Sequence, residues 1–114
     1  MRIEYLEIVT PDVDATCATL AAVHGVEFSA PVAELGNART ADLEGGGRVG
    51  IRAPMHESEQ PVVRPYLSTP DVVAATEAAE QSGAEIAHPP LEIPGVGRFA
   101  IFFQGGNQYG NWQV

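Results

Sequence analysis

Basic residues are scarce in this chain, six against 15 acidic ones, for a formal net charge of −9 over 114 residues. Nucleic-acid backbones and anionic membranes are held by basic surfaces, so neither is an expected partner. Cysteine is nearly missing as well: Cys17 alone makes neither an internal disulfide nor a cysteine-based zinc site. Among small neighbours it reads as a buried filler, with a reactive thiol as the alternative. No apolar run approaches the ~18 residues that a membrane span requires. The N-terminus enters a strand pattern with no basic-plus-apolar leader, which makes the cytoplasm the expected compartment. The glycine clusters at Gly45 and Gly105 sit in hairpins rather than at strand-to-helix turns, so there is no phosphate loop or dinucleotide fingerprint. His24, His56 and His88 show no metal spacing such as His-x-x-x-His.

What is present is an ordinary globular composition, 45% hydrophobic, in a chain long enough for one domain with a real core. A phrase also occurs twice. Ile8-Val9-Thr10-Pro11-Asp12-Val13 follows one strand-like run and Leu67-Ser68-Thr69-Pro70-Asp71-Val72 follows another. Each opens an alanine-rich helix that runs to a glycine, Gly25 or Gly83. An internal repeat of this kind precedes any other inference about fold. It divides the single domain 1–114 into a first module 1–54, a linker 55–61 and a second module 62–114.

Residues 2–9 alternate, with Glu4, Leu6 and Ile8 on one face and Ile3, Tyr5, Glu7 and Val9 on the other. Asp12 is placed to cap a helix whose apolar stripe is Val13, Cys17, Leu20, Ala21 and Val23. A short strand Val26–Phe28, a strand Ala38–Leu43, a glycine hairpin and a strand Arg48–Ala53 complete the module. The second module repeats this order: strand 62–69, helix 70–82, short strand 84–87, strand 98–104, the turn Gly105-Gly106-Asn107 and strand 108–114. Each half thus reads β-α-β-β-β, an α+β architecture. A four-stranded sheet with one helix leaves a face uncovered, so two curved mixed sheets are expected to enclose a central cavity, helices outside.

This order, with Arg64-Pro65-Tyr66-Leu67 before Asp71-Val72, then Glu92-Ile93-Pro94-Gly95-Val96-Gly97, Phe99-Ala100-Ile101, Gly105-Gly106-Asn107 and Gly110-Asn111-Trp112-Gln113, resembles the vicinal oxygen chelate superfamily. These are the glyoxalase, bleomycin-resistance and extradiol-dioxygenase-like proteins; the likeness is to a small bacterial glyoxalase-like subgroup and covers nearly the whole chain. The resemblance implies a homodimer. In metal-dependent members, a divalent ion is held by His and Glu side chains from four strands. The matching positions here read Tyr5, Gly50, Arg64 and Gly110. Arginine is a fixed cation and glycine has no side chain, so the expectation is no metal and no cofactor. A displaced metal site is the lesser alternative, with Glu7 on the same face as Tyr5.

If those positions mark the inward face, strand alternation names the candidate ligand-binding residues: Tyr5, Glu7, Arg52, Arg64, Tyr66, Gln108 and Trp112. The rings offer stacking surface and polar edges, and the arginines a planar fork for a carboxylate or phenolate. Arg64 paired with Glu7 across the interior is the plainer reading of those two charges, and Trp112 has core or dimer packing as its alternative. Glu7 is the leading general acid or base, since a carboxylate against aromatic walls tends toward a raised pKa. Tyr5 or Tyr66 would donate to an oxyanion. The reading is a metal-free protein that holds an aromatic or amphipathic small molecule, anionic ones included. Its alternatives are a glyoxalase-like enzyme (isomerase, epimerase, lyase or oxygenase, cofactor-free or with a displaced metal) and a dimeric structural or regulatory module.

Overall fold

A computed structural model describes residues Met1–Val114 and shows the α+β class, with seven strands and two α-helices. No helix is long and apolar enough to cross a membrane. The chain forms two compact units, Leu6–Val63 and Met1–Tyr5 with Arg64–Val114.

The Leu6–Val63 unit holds most of strand β1 (Ile3–Val9), helix α1 (Val13–His24), β2 (Arg39–Asp42) and β3 (Arg48–Arg52), in the strand order β2-β3-β1. β2 and β3 pair antiparallel, from Arg39 opposite Ile51 to Asp42 opposite Arg48. Cys17 of α1 is buried against Ala41, Val49 and Ile51, and Leu6, Ile8, Val13 and Leu20 pack around them. Leu6, Ile8, Val49 and Ile51 are thus part of this core. Val23, expected in the buried stripe, is instead 67% exposed near the end of the helix. The expected strand Val26–Phe28 does not form. Ser29 makes a single corner to Thr40, its N–H on the Thr40 carbonyl at 2.8 Å and its Oγ receiving the Thr40 N–H at 3.0 Å. Val26 and Phe28 pack against the core as irregular chain, and the first half reads β-α-β-β.

The other unit holds the start of β1, then β4 (Val62–Ser68, from Arg64), α2 (Val72–Gln81), β5 (Glu85–Ile93), β6 (Gly97–Gln104) and β7 (Asn107–Gln113), in the order β1-β4-β7-β6-β5. β4 and β7 are parallel; β6 is antiparallel to both β5 and β7. α2 packs on β5, β6 and β7. The β6–β7 hairpin turns on Gly105 and Gly106 at φ 59° and 79°, the left-handed pair a two-residue turn needs between Gln104 and Asn107. β5 is longer than expected and runs straight through His88-Pro89-Pro90. It pairs only with β6, so the proline nitrogens, which cannot donate, cost little there, and its register shifts on either side of His88.

The repeated phrase gives two different helix starts. Asp71 is extended (φ −150°, ψ 99°) and its carboxylate accepts from the N–H groups of Val73 and Ala74, both at 3.1 Å. Asp12 (φ −104°, ψ 52°) makes no side-chain cap, contrary to expectation, although the threonine two residues back accepts the aspartate N–H in both copies, at 3.1 Å for Thr10 and 3.3 Å for Thr69. Asp71→Ala is thus expected to lower stability by about 1 kcal/mol, and Asp12→Ala by only a few tenths of that. Urea denaturation of the two variants checks this difference, and equal losses would contradict it.

Candidate functional site

Strand register in the Arg64–Val114 unit sets side chains in rows across one sheet face. Ser68 lies opposite Trp112, which lies opposite Phe99, which lies opposite Leu91. One row along, Tyr66, Gly110, Ile101 and His88 are successive partners. Phe103 opposite Gln108 begins a third row. Alternation along β4, β6 and β7 keeps these rows on the same face, the register shift between His88 and Leu91 does so for β5, and ring contacts agree. Tyr66 meets Trp112 at 5.5 Å and Phe99 at 6.0 Å, both edge to face. Tyr5 meets Tyr66 at 5.9 Å and Trp112 at 5.4 Å. Phe99 is stacked between Trp112 at 6.2 Å and His88 at 5.1 Å.

Gly110 explains how the cluster fits. A Cβ built on it would collide with the Tyr66 ring, so the missing side chain is the space that ring occupies. Gly97 gives a similar approach: a Cβ there would lie 2.8 Å from the Trp112 indole nitrogen. Beside the rings, buried Arg64 donates from Nε and Nη2 to Gln108 Oε1 at 3.1 and 2.6 Å, and from Nη1 toward the Tyr66 hydroxyl at 3.5 Å. Arginine only donates, so the Gln108 oxygen must face it and the amide NH2 is turned away. Tyr5, Arg64, Tyr66, Gln108 and Trp112 are therefore brought together as one group.

Glu7 and Arg52 form another group, in the Leu6–Val63 unit. Arg52 Nε donates to Glu7 Oε2 at 2.8 Å with both side chains almost fully buried. Its other edge grips Glu59 through two bonds of 2.9 and 2.8 Å, and Nη1 also reaches the Ala53 carbonyl at 3.2 Å. Glu59 in turn accepts the Met55 N–H at 2.7 Å. The guanidinium holds the Glu59 carboxyl down at about 2, and Glu59 first, then Glu7, raises Arg52 above its ordinary value. The expected linker is thus a folded turn, closed by the Glu59 N–H on the His56 carbonyl at 3.1 Å. Arg52 has its donors committed to two carboxylates, and Glu7 faces a guanidinium.

Three contributors were not in the expected set. Phe99 and His88 follow from the cross-strand register, which the sequence reveals only once β5 is known to continue past Pro89 and Pro90. Glu59 has no local signal, because its partner Arg52 is reached through a turn. Separately, a concavity of about 500 Å3 at the β5–β6 turn is lined by Glu92, Ile93, Val96, Arg98, Gln113 and Val114, none of them an expected site residue.

The fold has counterparts among solved structures. A hypothetical protein from Bacillus halodurans C-125 superposes with a TM-score of 0.78 at 8% identity, over 99% of this chain and 94% of that one. The methylmalonyl-CoA epimerase of Streptomyces coelicolor, in complex with 2-nitronate-propionyl-CoA, gives 0.70 at 20% identity, over 100% and 94%. The methylmalonyl-CoA epimerase from Mycobacterium tuberculosis gives 0.73 at 12% identity, over 96% and 85%. The likeness is one of fold. It is the fold of methylmalonyl-CoA epimerases, which belong to the vicinal oxygen chelate superfamily. No family model matches the chain, and no curated protein matches it by sequence.

The metal ion of that superfamily does not fit the residues present. Tyr5, Gly50, Arg64 and Gly110 stand at the implied ligand positions, and the Tyr66 ring fills the space beside Gly110. No three His, Cys, Asp or Glu side chains come together as a ligand set elsewhere.

Glu59→Gln tests the buried charge cluster by pH. With a folded value of about 2 against an ordinary 4.5, the Glu59 carboxylate stabilises the fold above about pH 4.5, and that contribution is lost as pH falls toward 2. The wild type should exceed Glu59→Gln in urea midpoint at pH 7, with the gap narrowing by pH 3. A gap that does not change with pH would contradict the ion-pair account.

Proposed function

We propose that this chain is a metal-free, small-molecule-binding member of the vicinal oxygen chelate superfamily, of the glyoxalase and bleomycin-resistance kind. It takes an aromatic or amphipathic ligand, anionic ones included, on the Phe99 face of the sheet. One observation carries the reading. The face is apolar yet open to solvent: Phe103 is 37% and Leu91 49% exposed, and Phe99, Ile101 and His88 are half-buried, around a fixed floor of Tyr66 and Trp112. Contiguous exposed apolar surface beside oriented polar groups is what a ligand site offers. Here the polar groups are Arg64 and the outward amide of Gln108. The shared fold supports the superfamily, and the Streptomyces coelicolor epimerase is described with an acyl-CoA analogue bound, itself an amphipathic anion.

An epimerase-like enzyme is the second reading, favoured by the two epimerase structures with this fold. Glu7 is its candidate acid or base. Fold alone does not carry the reaction across, because one fold hosts many chemistries.

Trp112 is the only tryptophan and belongs to the ring cluster, so its emission should report occupancy. Titration with a panel of aromatic carboxylates and acyl-CoA thioesters is expected to give a saturable change for at least one class. Phe99→Ala should weaken that binding by about tenfold, the loss of roughly 1.4 kcal/mol of ring contact and of support for the His88 ring. A flat response across the panel contradicts ligand binding. Turnover of a bound compound by the wild type, lost in Glu7→Gln, would favour the enzyme.

A further inference from the structure

His88 stands at the outer end of the ring row, on β5, and its contacts decide which of its nitrogens is protonated. Nδ1 lies 2.7 Å from the carbonyl oxygen of Pro89, the next residue. A carbonyl oxygen only accepts, so Nδ1 must carry the hydrogen and donate it. In the neutral ring, the second nitrogen then has a lone pair and no hydrogen. Nε2 is on the edge of the imidazole away from the backbone. The ring plane is held at 28° to Phe99 with centroids 5.1 Å apart, and Nε2, which has no protein partner, is not a buried atom. The backbone protects the arrangement. Pro89 has no N–H to place in the ladder, and the register shifts on both sides of His88 let the edge strand turn the Pro89 carbonyl toward the His88 side chain.

The face then carries two kinds of polar group. At the β7 side, Gln108 offers amide N–H donors, with its oxygen held by Arg64. At the β5 side, His88 Nε2 offers an acceptor. Two strand spacings separate β5 from β7, on the order of 10 Å, a span that a single substituted ring with its polar substituents can approach.

The geometry points to His88 as a specificity-determining residue that selects planar ligands bearing an O–H or N–H donor, such as phenols, over otherwise equal ligands without one. This rests on the proposed ligand-binding function, and it names a ligand class within it. The donor's hydrogen bonds to Nε2 while the ligand ring lies against Ile101 and Phe103 and the edge of Phe99. A site built to accept a hydrogen bond rejects the analogue that cannot supply it, because the acceptor loses its water without replacement.

Two measurements test it. Long-range proton–nitrogen correlation NMR of the free protein at pH 8 should show His88 with Nδ1 protonated and Nε2 bare; an Nε2–H tautomer overturns the proposal without any ligand. In Trp112-fluorescence titrations, 4-hydroxybenzoate should bind about tenfold more tightly than 4-methoxybenzoate, which differs in lacking the donor. His88→Phe keeps a ring on Phe99 but has no acceptor. It should bind 4-hydroxybenzoate and 4-methoxybenzoate with equal affinity, the preference being lost. Equal binding of the two probes by the wild type, or a preference that survives in His88→Phe, overturns the role of His88 and leaves the binding function standing. Binding of neither probe, with no response to the wider aromatic and acyl-CoA panel, overturns both.

Discussion

The contact on which the candidate site depends is the ring of Tyr66 against the bare backbone of Gly110. Their strands are parallel neighbours, and the two residues are in register. With no side chain at 110, the Tyr66 ring can lie down on the sheet and reach Trp112 and Phe99 at once, while Tyr5 closes the cluster from β1. Any larger residue at 110 would push the ring off the sheet and with it the floor on which Phe99 is stacked. The same absence that removes a potential metal ligand thus creates an aromatic surface. That packing is compatible with a ligand-binding reading on a fold shared with methylmalonyl-CoA epimerases.

A second constraint is electrostatic. Arg52 and Glu7 are both buried, and removing either would leave a charge in a poorly solvated interior, which costs far more than the pair itself contributes. Glu59 completes the balance by bringing a second carboxylate to the same guanidinium. It also ties down the segment that follows β3, through the Met55 N–H. Of the 15 acidic residues in this strongly acidic chain, two are spent on one arginine. Arg64 is held through the neutral Gln108 amide and the Tyr66 hydroxyl as well.

Much of this was legible from alternation alone. Tyr5, Glu7, Arg52, Arg64, Tyr66 and Trp112 are all buried on strands whose opposite residues face a helix or solvent, as period-two patterning requires. What alternation cannot read is the behaviour of short polar segments and edges. The phrases Thr10-Pro11-Asp12-Val13 and Thr69-Pro70-Asp71-Val72 are identical, yet only Asp71 caps its helix, because its backbone is extended and that of Asp12 is not. Val26–Phe28 has strand-forming residues but no ladder, and Ser29 takes Thr40 in a corner instead. His88-Pro89-Pro90 looks like a strand end until its place on an edge makes the missing N–H groups harmless. Glu59 was out of reach for a different reason: its role is set by where a turn delivers it.

The most direct test of the account is the stability of Gly110→Ala alone and combined with Tyr66→Leu. One methyl group at 110 should cost about 1–3 kcal/mol in urea denaturation, because a ring held by three aromatic neighbours cannot step aside. In the Tyr66→Leu background the same methyl group should cost much less, since the smaller side chain leaves room for it. A Gly110→Ala protein as stable as the wild type, or an equal cost in both backgrounds, would mean that the Tyr66 ring does not depend on Gly110 and would remove the basis of the site.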